Sequence, residues 1–143
     1  GSRSEGRGAA VGSRTVAVVG SRRFDGPSGA HKAAKAAVRA FVNGLPNHVT
    51  LISGGAHGVD TWAEDAADAS GLDKIIFRPD WKRYGKRAGA VRNMEIVRAS
   101  DEVVAFWDGR SRGTKSMITL ARAEGKPVRV VRVTGTKVEA SHG

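Results

Sequence analysis

The chain has 143 residues, 40% of them hydrophobic, no cysteine, and a formal net charge of +10. This length and composition fit one domain with a moderate core, and the lack of cysteine excludes disulfides, thiolate metal sites and thiol catalysis. There is no signal-peptide pattern and no apolar run near the roughly 20 residues of a membrane span, so we expect a cytoplasmic protein with anionic partners, nucleic acid among them.

The two ends of the chain are expected to lie outside the folded domain. Residues 1–14 are rich in Gly, Ser and Arg and have almost nothing apolar to bury. We therefore expect a disordered basic tail or a cloning remnant there. A flexible C-terminal tail is expected over residues 134–143, which leaves a single domain at residues 15–133.

Short runs rich in β-branched residues predict five strands along this domain. Most are continuously apolar, as in buried parallel strands, whereas the last alternates with Arg129 and Arg132 and is expected at the sheet edge. The predicted strands are Thr15–Val19, Val49–Ser53, Lys74–Arg78, Glu102–Trp107 and Val128–Val133.

Amphipathic stretches between the strands predict helices. The first is capped by Ser28 and ends before Gly44, and the others span Val59–Ser70, about Ala88–Ala99 and Thr114–Glu124. Alternating strands and helices favour an α/β fold, a Rossmann-like doubly wound parallel sheet of about five strands with helices on both faces. A strand order of 3-2-1-4-5 would place a crevice between strands one and four.

Glycine-rich polar turns follow strands one, two and four, and they begin at Gly20, Ser53 and Asp108. Glycine allows close approach of the backbone to a ligand, and a following helix start offers free amides to an anion, so we predict a phosphate site at this edge. In the second turn, Asp60 can cap the helix or hold a ribose hydroxyl. Taken alone, a tight crossover turn explains this motif equally well. Arg110 and Arg112 in the third turn are expected to contact phosphate, with a flexible basic loop as the alternative.

The loop Pro79–Arg87 combines two aromatic residues with four cations, which can stack a base and pair with phosphate. A surface loop whose Trp81 packs onto the third helix is at least as well supported. Trp62 and Trp107 are interpreted as partly buried packing residues near the crevice wall. His57 is interpreted as a hydrogen-bonding residue, and no spacing of residues indicates a metal site.

The motifs together closely resemble the YspA-like branch of the SLOG superfamily, over Thr15 to about Val133. They are Gly20-Ser21-Arg22, Ser53-Gly54-Gly55-Ala56 with Gly58 and Asp60, Arg92-Asn93, and Phe106-Trp107-Asp108-Gly109 with Ser111, Gly113 and Thr114. The superfamily also contains the LONELY GUY phosphoribohydrolases and the Rossmann-like domain of DNA-processing protein A.

The resemblance implies a pocket for nucleotides or for NAD-derived molecules such as relatives of ADP-ribose, often in a homo-oligomer. It also implies the pocket residues, although their individual roles are inferred. They are Gly20, Ser21, Arg22, Gly54, Gly55, Asp60, Arg92, Asn93, Asp108, Ser111, Gly113 and Thr114.

The chain departs from the phosphoribohydrolase motif PGGxGTxxE. Lys115, Ser116 and Met117 follow Gly113-Thr114, so Met117 stands where the motif has its carboxylate. Asp60, Arg92 and Asp108 remain as catalytic candidates. We therefore expect a nucleotide-binding sensor, sequestering protein or carrier, with no certain cofactor. The alternatives are cleavage of the N-glycosidic bond of a nucleoside monophosphate and binding of single-stranded nucleic acid.

Overall fold

The computed structural model describes residues 14–24 and 29–142. The expected tail over residues 1–14 lies outside these described residues except for Arg14, which begins β1 and pairs with Val49. The expected helix cap at Ser28 lies outside them as well. In chain order, the elements are β1 Arg14–Gly20, α1 Ala30–Asn43, β2 Val49–Ser53, α2 Val59–Ser70, β3 Asp73–Ile76, α3 Trp81–Tyr84, a 3-10 turn at Gly85–Arg87, α4 Ala88–Ala99, β4 Glu102–Trp107, α5 Arg112–Ala123, β5 Val128–Thr134 and β6 Lys137–His142.

The strands form one sheet in the order β3-β2-β1-β4-β5-β6. The first five are parallel, which confirms the predicted Rossmann-like α/β fold and its strand order. β6 is antiparallel to β5 and pairs with it from Thr134↔Lys137 to Arg129↔His142. The expectation of a flexible tail is therefore wrong over residues 134–142, and β5 is not the sheet edge, because β6 pairs with its outer side.

Helices pack on both faces of the sheet, and the alternation of side chains along each strand separates two cores. Val18 and Phe106 point to the face covered by α1 and α2. Ala17 and Ala105 point to the opposite face, covered by α4 and α5. The pairing of β1 with both β2 and β4 therefore marks the point where the chain winding reverses, and ligands of open α/β sheets bind at such points.

Local capping explains where two helices begin. Asp80 accepts a hydrogen bond from the amide of Arg83 and starts the short α3 inside a segment that the sequence predicted as loop. Ser111 accepts one from the amide of Thr114, so α5 begins two residues earlier than predicted. Within the described ranges, every helix falls short of the length and apolar content that a bilayer crossing requires.

We predict that Gly20→Ala destabilises the fold and that Gly89→Ala does not. A Cβ at Gly20 would lie 2.5 Å from the Phe106 carbonyl oxygen and 2.7 Å from Val59 Cγ2, whereas a Cβ at Gly89 meets nothing within 4 Å. Crowding of this kind costs about 1–3 kcal/mol, and alanine within a helix gains up to about 1 kcal/mol over glycine. Urea denaturation measures both effects. Equal free energies of unfolding for the two variants would contradict the packing described for Gly20.

Candidate functional site

The carboxyl ends of β1, β2 and β4 border a cleft of about 430 Å³. All of the predicted pocket residues except Gly55 line it. The cleft also contains residues that sequence reasoning did not select, namely Val19, Arg23, Ala56, Ile96 and Met117.

Gly55 is absent from the cleft lining, contrary to expectation. Its φ is +73°, and a Cβ there would lie 2.7 Å from Nη1 of Arg78 and 3.1 Å from Cγ2 of Ile76. A left-handed backbone and a close side-chain neighbour both favour glycine at this position. The structure therefore accounts for Gly55 by local packing, without a ligand.

The first two turns are in backbone contact. Gly58 has a φ of +79°, and a Cβ there would collide with the carbonyl of Arg22. The first turn is joined equally closely to the third, because the amide of Ser21 donates to the Phe106 carbonyl at 3.1 Å. The Ser21 hydroxyl accepts from the amide of Asp108 at 3.3 Å. These contacts hold the three turns together at one edge of the sheet, as the sequence predicted.

Asp60 is a buried carboxylate within the second turn, at 8% exposure. Its Oδ2 accepts a hydrogen bond from the amide of Ala56 at 3.1 Å. Burial raises the pKa of Asp60 to about 6, while the Ala56 hydrogen bond and the charge of Arg92 oppose this rise. The second turn was expected to offer its amides to a phosphate. Instead, the protein's own carboxylate takes up the Ala56 amide, and the turn presents a hydrogen-bond acceptor to the cleft.

Arg92 connects α4 to the second turn. Its Nη1 donates to the Gly54 carbonyl at 2.6 Å, and its Nε donates to Oδ1 of Asn93 at 2.9 Å. Partial burial lowers the pKa of Arg92, and the charge of Asp60 counteracts this effect. A guanidinium has five N–H donors, so Arg92 retains donors for a ligand.

The third turn is folded upon Asp108 and leaves the start of α5 open. Oδ1 of Asp108 accepts from the amides of Arg110 and Ser111, both at 2.8 Å. Within the described part of the chain, the amides of Arg112 and Gly113 donate to no protein group. A Cβ at Gly113 would meet nothing within 4 Å. Free amides at the positive end of a helix dipole form an anion site, and this one faces the cleft.

The cations of the cleft are not those that the third turn was expected to supply. Arg110 and Arg112 are exposed and do not line the cleft, whereas Arg22, Arg23 and Arg92 do. The cleft lining therefore does not include the two arginines that the sequence favoured, and their contact with phosphate stays a prediction. Arg23 had a visible signal, since it directly follows Arg22 in the first turn.

The apolar residues that sequence reasoning missed follow helical spacing. Ile96 lies one turn after Asn93 on α4, and Met117 lies one turn after Thr114 on α5. Residues three apart share a helix face, so the predicted pocket residues already implied both neighbours.

The remaining aromatic and histidine predictions have mixed outcomes. Trp62 is buried and packs with Phe24, and Trp107 is half-buried with its indole N–H donating to the Ser111 carbonyl at 3.0 Å. Trp81 is 61% exposed, so most of its surface is in solvent, which does not favour the alternative of an indole packed onto the third predicted helix, α4. His57 is exposed and outside the cleft lining. No group of three metal-ligating side chains occurs within residues 14–24 and 29–142.

Comparisons with known proteins agree on one group of relatives. The model of the YspA, cpYpsA-related SLOG family matches residues 14–84. The Gene 61 protein of Mycobacterium phage D29 is 37% identical over 89 residues, which are 58% of this chain and 71% of that protein.

Solved structures show the same fold. DNA processing protein A from Streptococcus pneumoniae aligns with a TM-score of 0.68 and 26% identity over 82% of this chain, which spans only 50% of that protein. The molybdenum cofactor carrier protein from Chlamydomonas reinhardtii aligns with a TM-score of 0.60 and 21% identity, over 82% of this chain and 75% of that one.

We predict that Asp60→Asn removes a pH-dependent loss of stability. Because the pKa of Asp60 rises from 3.8 to about 6 on folding, the folded state binds the proton more tightly, and stability falls as pH rises between these values. As the pH rises from 4 to 7, the free energy of unfolding of the variant should therefore increase by about 1–3 kcal/mol relative to that of wild type. The measurement is urea denaturation across that range.

Asp65→Asn is the matched control, since Asp65 is exposed on the same helix. It should leave the pH profile of wild type unchanged between pH 4 and pH 7. If the free energy of unfolding of Asp60→Asn and of wild type depends on pH in the same way, burial does not raise the pKa of Asp60.

Proposed function

We propose that this chain, which belongs to the YspA, cpYpsA-related SLOG family, binds a nucleotide or an NAD- or ADP-ribose-derived ligand at the carboxyl edge of its sheet. In this role it acts as a sensor, a sequestering protein or a carrier. One observation carries the proposal, namely a single cleft that combines three arginines and an open helix start with a buried carboxylate. This pairing of groups matches a ligand that carries both a phosphate and hydroxyl groups.

The phosphate belongs at the start of α5. The amides of Arg112 and Gly113 are open there, and the Thr114 hydroxyl lies 3.2 Å from that of Ser111. Arg22 lines the same cleft and is exposed. An exposed guanidinium can form a bidentate pair with phosphate, and its charge adds to the helix dipole.

The ribose belongs beside Asp60. As a carboxylate, Asp60 is only an acceptor, and its Oδ2 already receives the Ala56 amide. Its remaining lone pairs suit the hydroxyl donors of a sugar. Burial raises the pKa of Asp60 to about 6, and the Ala56 hydrogen bond, followed by the charge of Arg92, limits this rise so that the carboxylate is mostly ionised at neutral pH.

The base belongs against the apolar part of the cleft. Val19, Ile96 and Met117 line this part, and all are buried in the core between the sheet and the α4–α5 layer. These side chains offer no hydrogen-bonding group to the edge of a base, so this part of the cleft provides little selectivity between bases. We therefore expect the phosphates and ribose of the ligand to determine affinity.

Cleavage of the N-glycosidic bond of a nucleoside monophosphate is the second candidate, favoured by one observation. Asp60 has its pKa raised to about 6 inside the cleft, which suits a general acid or base. Against it, Lys115 and Ser116 on the first turns of α5 are exposed and outside the cleft lining, and Met117 occupies the inward position. Asp108 is held by two amides of its own turn. Binding without catalysis is therefore the leading proposal, and a homo-oligomeric state remains a prediction.

We predict that Gly113→Leu weakens binding of the ligand, while Gly89→Leu leaves the affinity unchanged. The two glycines are each the second residue of a helix, and a Cβ added at either one would meet no heavy atom within 4 Å. Only Gly113 lines the cleft, where a leucine would cover the open amides. We expect at least a tenfold loss of affinity, from charge-assisted hydrogen bonds worth about 1.5–3 kcal/mol.

The measurement is isothermal titration calorimetry of wild type and both variants with AMP, NAD, ADP-ribose and cyclic nucleotides. A wild-type protein that binds none of these compounds would refute the proposed function. Equal losses in both variants would remove the start of α5 from the binding site.

We predict that wild-type protein releases no more free base from nucleoside monophosphates than the Asp60→Ala variant does. The reason is that, within the described residues, Asp108 is the one other carboxylate that lines the cleft. Its Oδ1 already accepts hydrogen bonds from the amides of Arg110 and Ser111. Chromatography of nucleotides after incubation measures release. Base release that Asp60→Ala abolishes would establish the enzymatic alternative in place of simple binding.

A further inference from the structure

An exposed aromatic and basic surface lies on the connection between β3 and α4. We call it the Trp81 patch, and it consists of Trp81, Lys82, Arg83, Lys86 and Arg87. Each of these residues is exposed, and Trp81 has the highest exposure, 61%, of the large hydrophobic residues that the structure describes. The proposed ligand cleft does not include any of them.

The patch is ordered by its own local bonds and does not depend on burial of the indole. Asp80 Oδ1 accepts from the amide of Arg83 at 3.1 Å, and the Asp80 carbonyl accepts from the amide of Tyr84 at 3.0 Å. The guanidinium of Arg83 lies 5.2 Å from the centre of the Tyr84 ring. None of the α3 residues is buried. Burial in the core therefore does not explain the tryptophan at position 81, because most of its surface faces solvent.

The cations of the patch have no acidic partners of their own. Within the described residues, Lys82, Arg83, Lys86 and Arg87 form no salt bridge. The neighbouring carboxylate of Asp80 is engaged by the α3 amide. Even with the negative charge of Asp80 counted, the four cations leave this surface with an excess of positive charge that is available to an anionic partner.

We propose that the Trp81 patch binds single-stranded nucleic acid. The indole stacks on one unpaired base, and the surrounding cations neutralise phosphates of the same strand. A stacked aromatic with cations along the backbone path is the combination by which proteins hold single strands without reading their sequence. In a duplex the faces of the bases are stacked on each other. A duplex can therefore pair its phosphates with the cations, but its bases cannot stack on Trp81.

Other partners fit the patch less well. A membrane surface also attracts tryptophan and basic residues, but α3 has only four residues and cannot form an amphipathic face. An acidic protein segment can pair with the cations, yet it offers no planar group to the indole. Both partners are outcomes of the test.

The test is fluorescence anisotropy of the full chain with labelled 12-nucleotide strands, oligo-dT and oligo-rU, from low to high salt. Trp81→Ala should weaken binding about five- to one-hundred-fold, the range for loss of one stacked base, and Trp81→Phe should restore most of it. Lys86→Gln with Arg87→Gln should reduce the salt slope by about 1.4, since each phosphate contact to a single strand contributes about 0.7.

The matched control is Lys32→Gln with Arg39→Gln, which removes the same charge from exposed positions on α1. It should leave the salt slope unchanged, and so should Gly113→Leu, which separates this proposal from the function of the cleft. Equal effects of the two charge variants, equal affinity for duplex and single strands, or no binding at low salt would each overturn the proposal. A protein that binds phosphatidylserine vesicles or an acidic peptide through Trp81, and does not bind oligonucleotides, would also overturn it. Loss of that binding in Trp81→Ala would identify the patch as the site.

Discussion

The close backbone packing of the three strand-tip turns is the constraint on which the rest of the site depends. Gly20 fits between the Phe106 carbonyl and Val59, and Gly58 fits against the Arg22 carbonyl, with no room for a side chain at either position. Backbone atoms cannot change rotamer to relieve a clash, so these contacts fix the turns more firmly than side-chain packing would. The ends of α2 and α5 are consequently held at one edge with little freedom to move.

This constraint produces two helix starts with opposite properties. At α2, Asp60 lies among the amides of the second turn and contributes a negative charge to the cleft. At α5, Ser111 satisfies only the Thr114 amide, and the amides before it stay open. A buried carboxylate with a raised pKa is a poor choice for a structural cap, because a neutral side chain would accept the same amide without the desolvation penalty. Its presence in a cleft therefore favours a role toward a ligand.

The sequence predicted the central fold because its signals are local. Continuous β-branched runs marked β1, β2 and β4, and Gly71 marked the end of α2. β6 was missed because Lys137–His142 mixes charged and small residues, and its strand conformation derives from pairing with β5 rather than from an apolar pattern. In the site, motifs located the turns correctly, but they did not show that Arg110 and Arg112 stay out of the cleft lining. The conformation of this turn depends on hydrogen bonds from Asp108 to amides two and three residues later, and residue spacing alone does not indicate whether such bonds form.

The two proposed sites lie along the same helix, α4. Arg87 ends the Trp81 patch immediately before α4, and Arg92 enters the cleft five residues later. Five residues of helix advance about 7.5 Å along the axis, a distance comparable to the Debye length of about 8 Å at physiological salt. Charges at this separation are only partly screened by salt, because strong screening requires more than a Debye length between them. Arg92 holds the Gly54 carbonyl from α4, and Arg87 directly precedes the same helix, so α4 places a residue of the cleft and the end of the patch at a fixed separation.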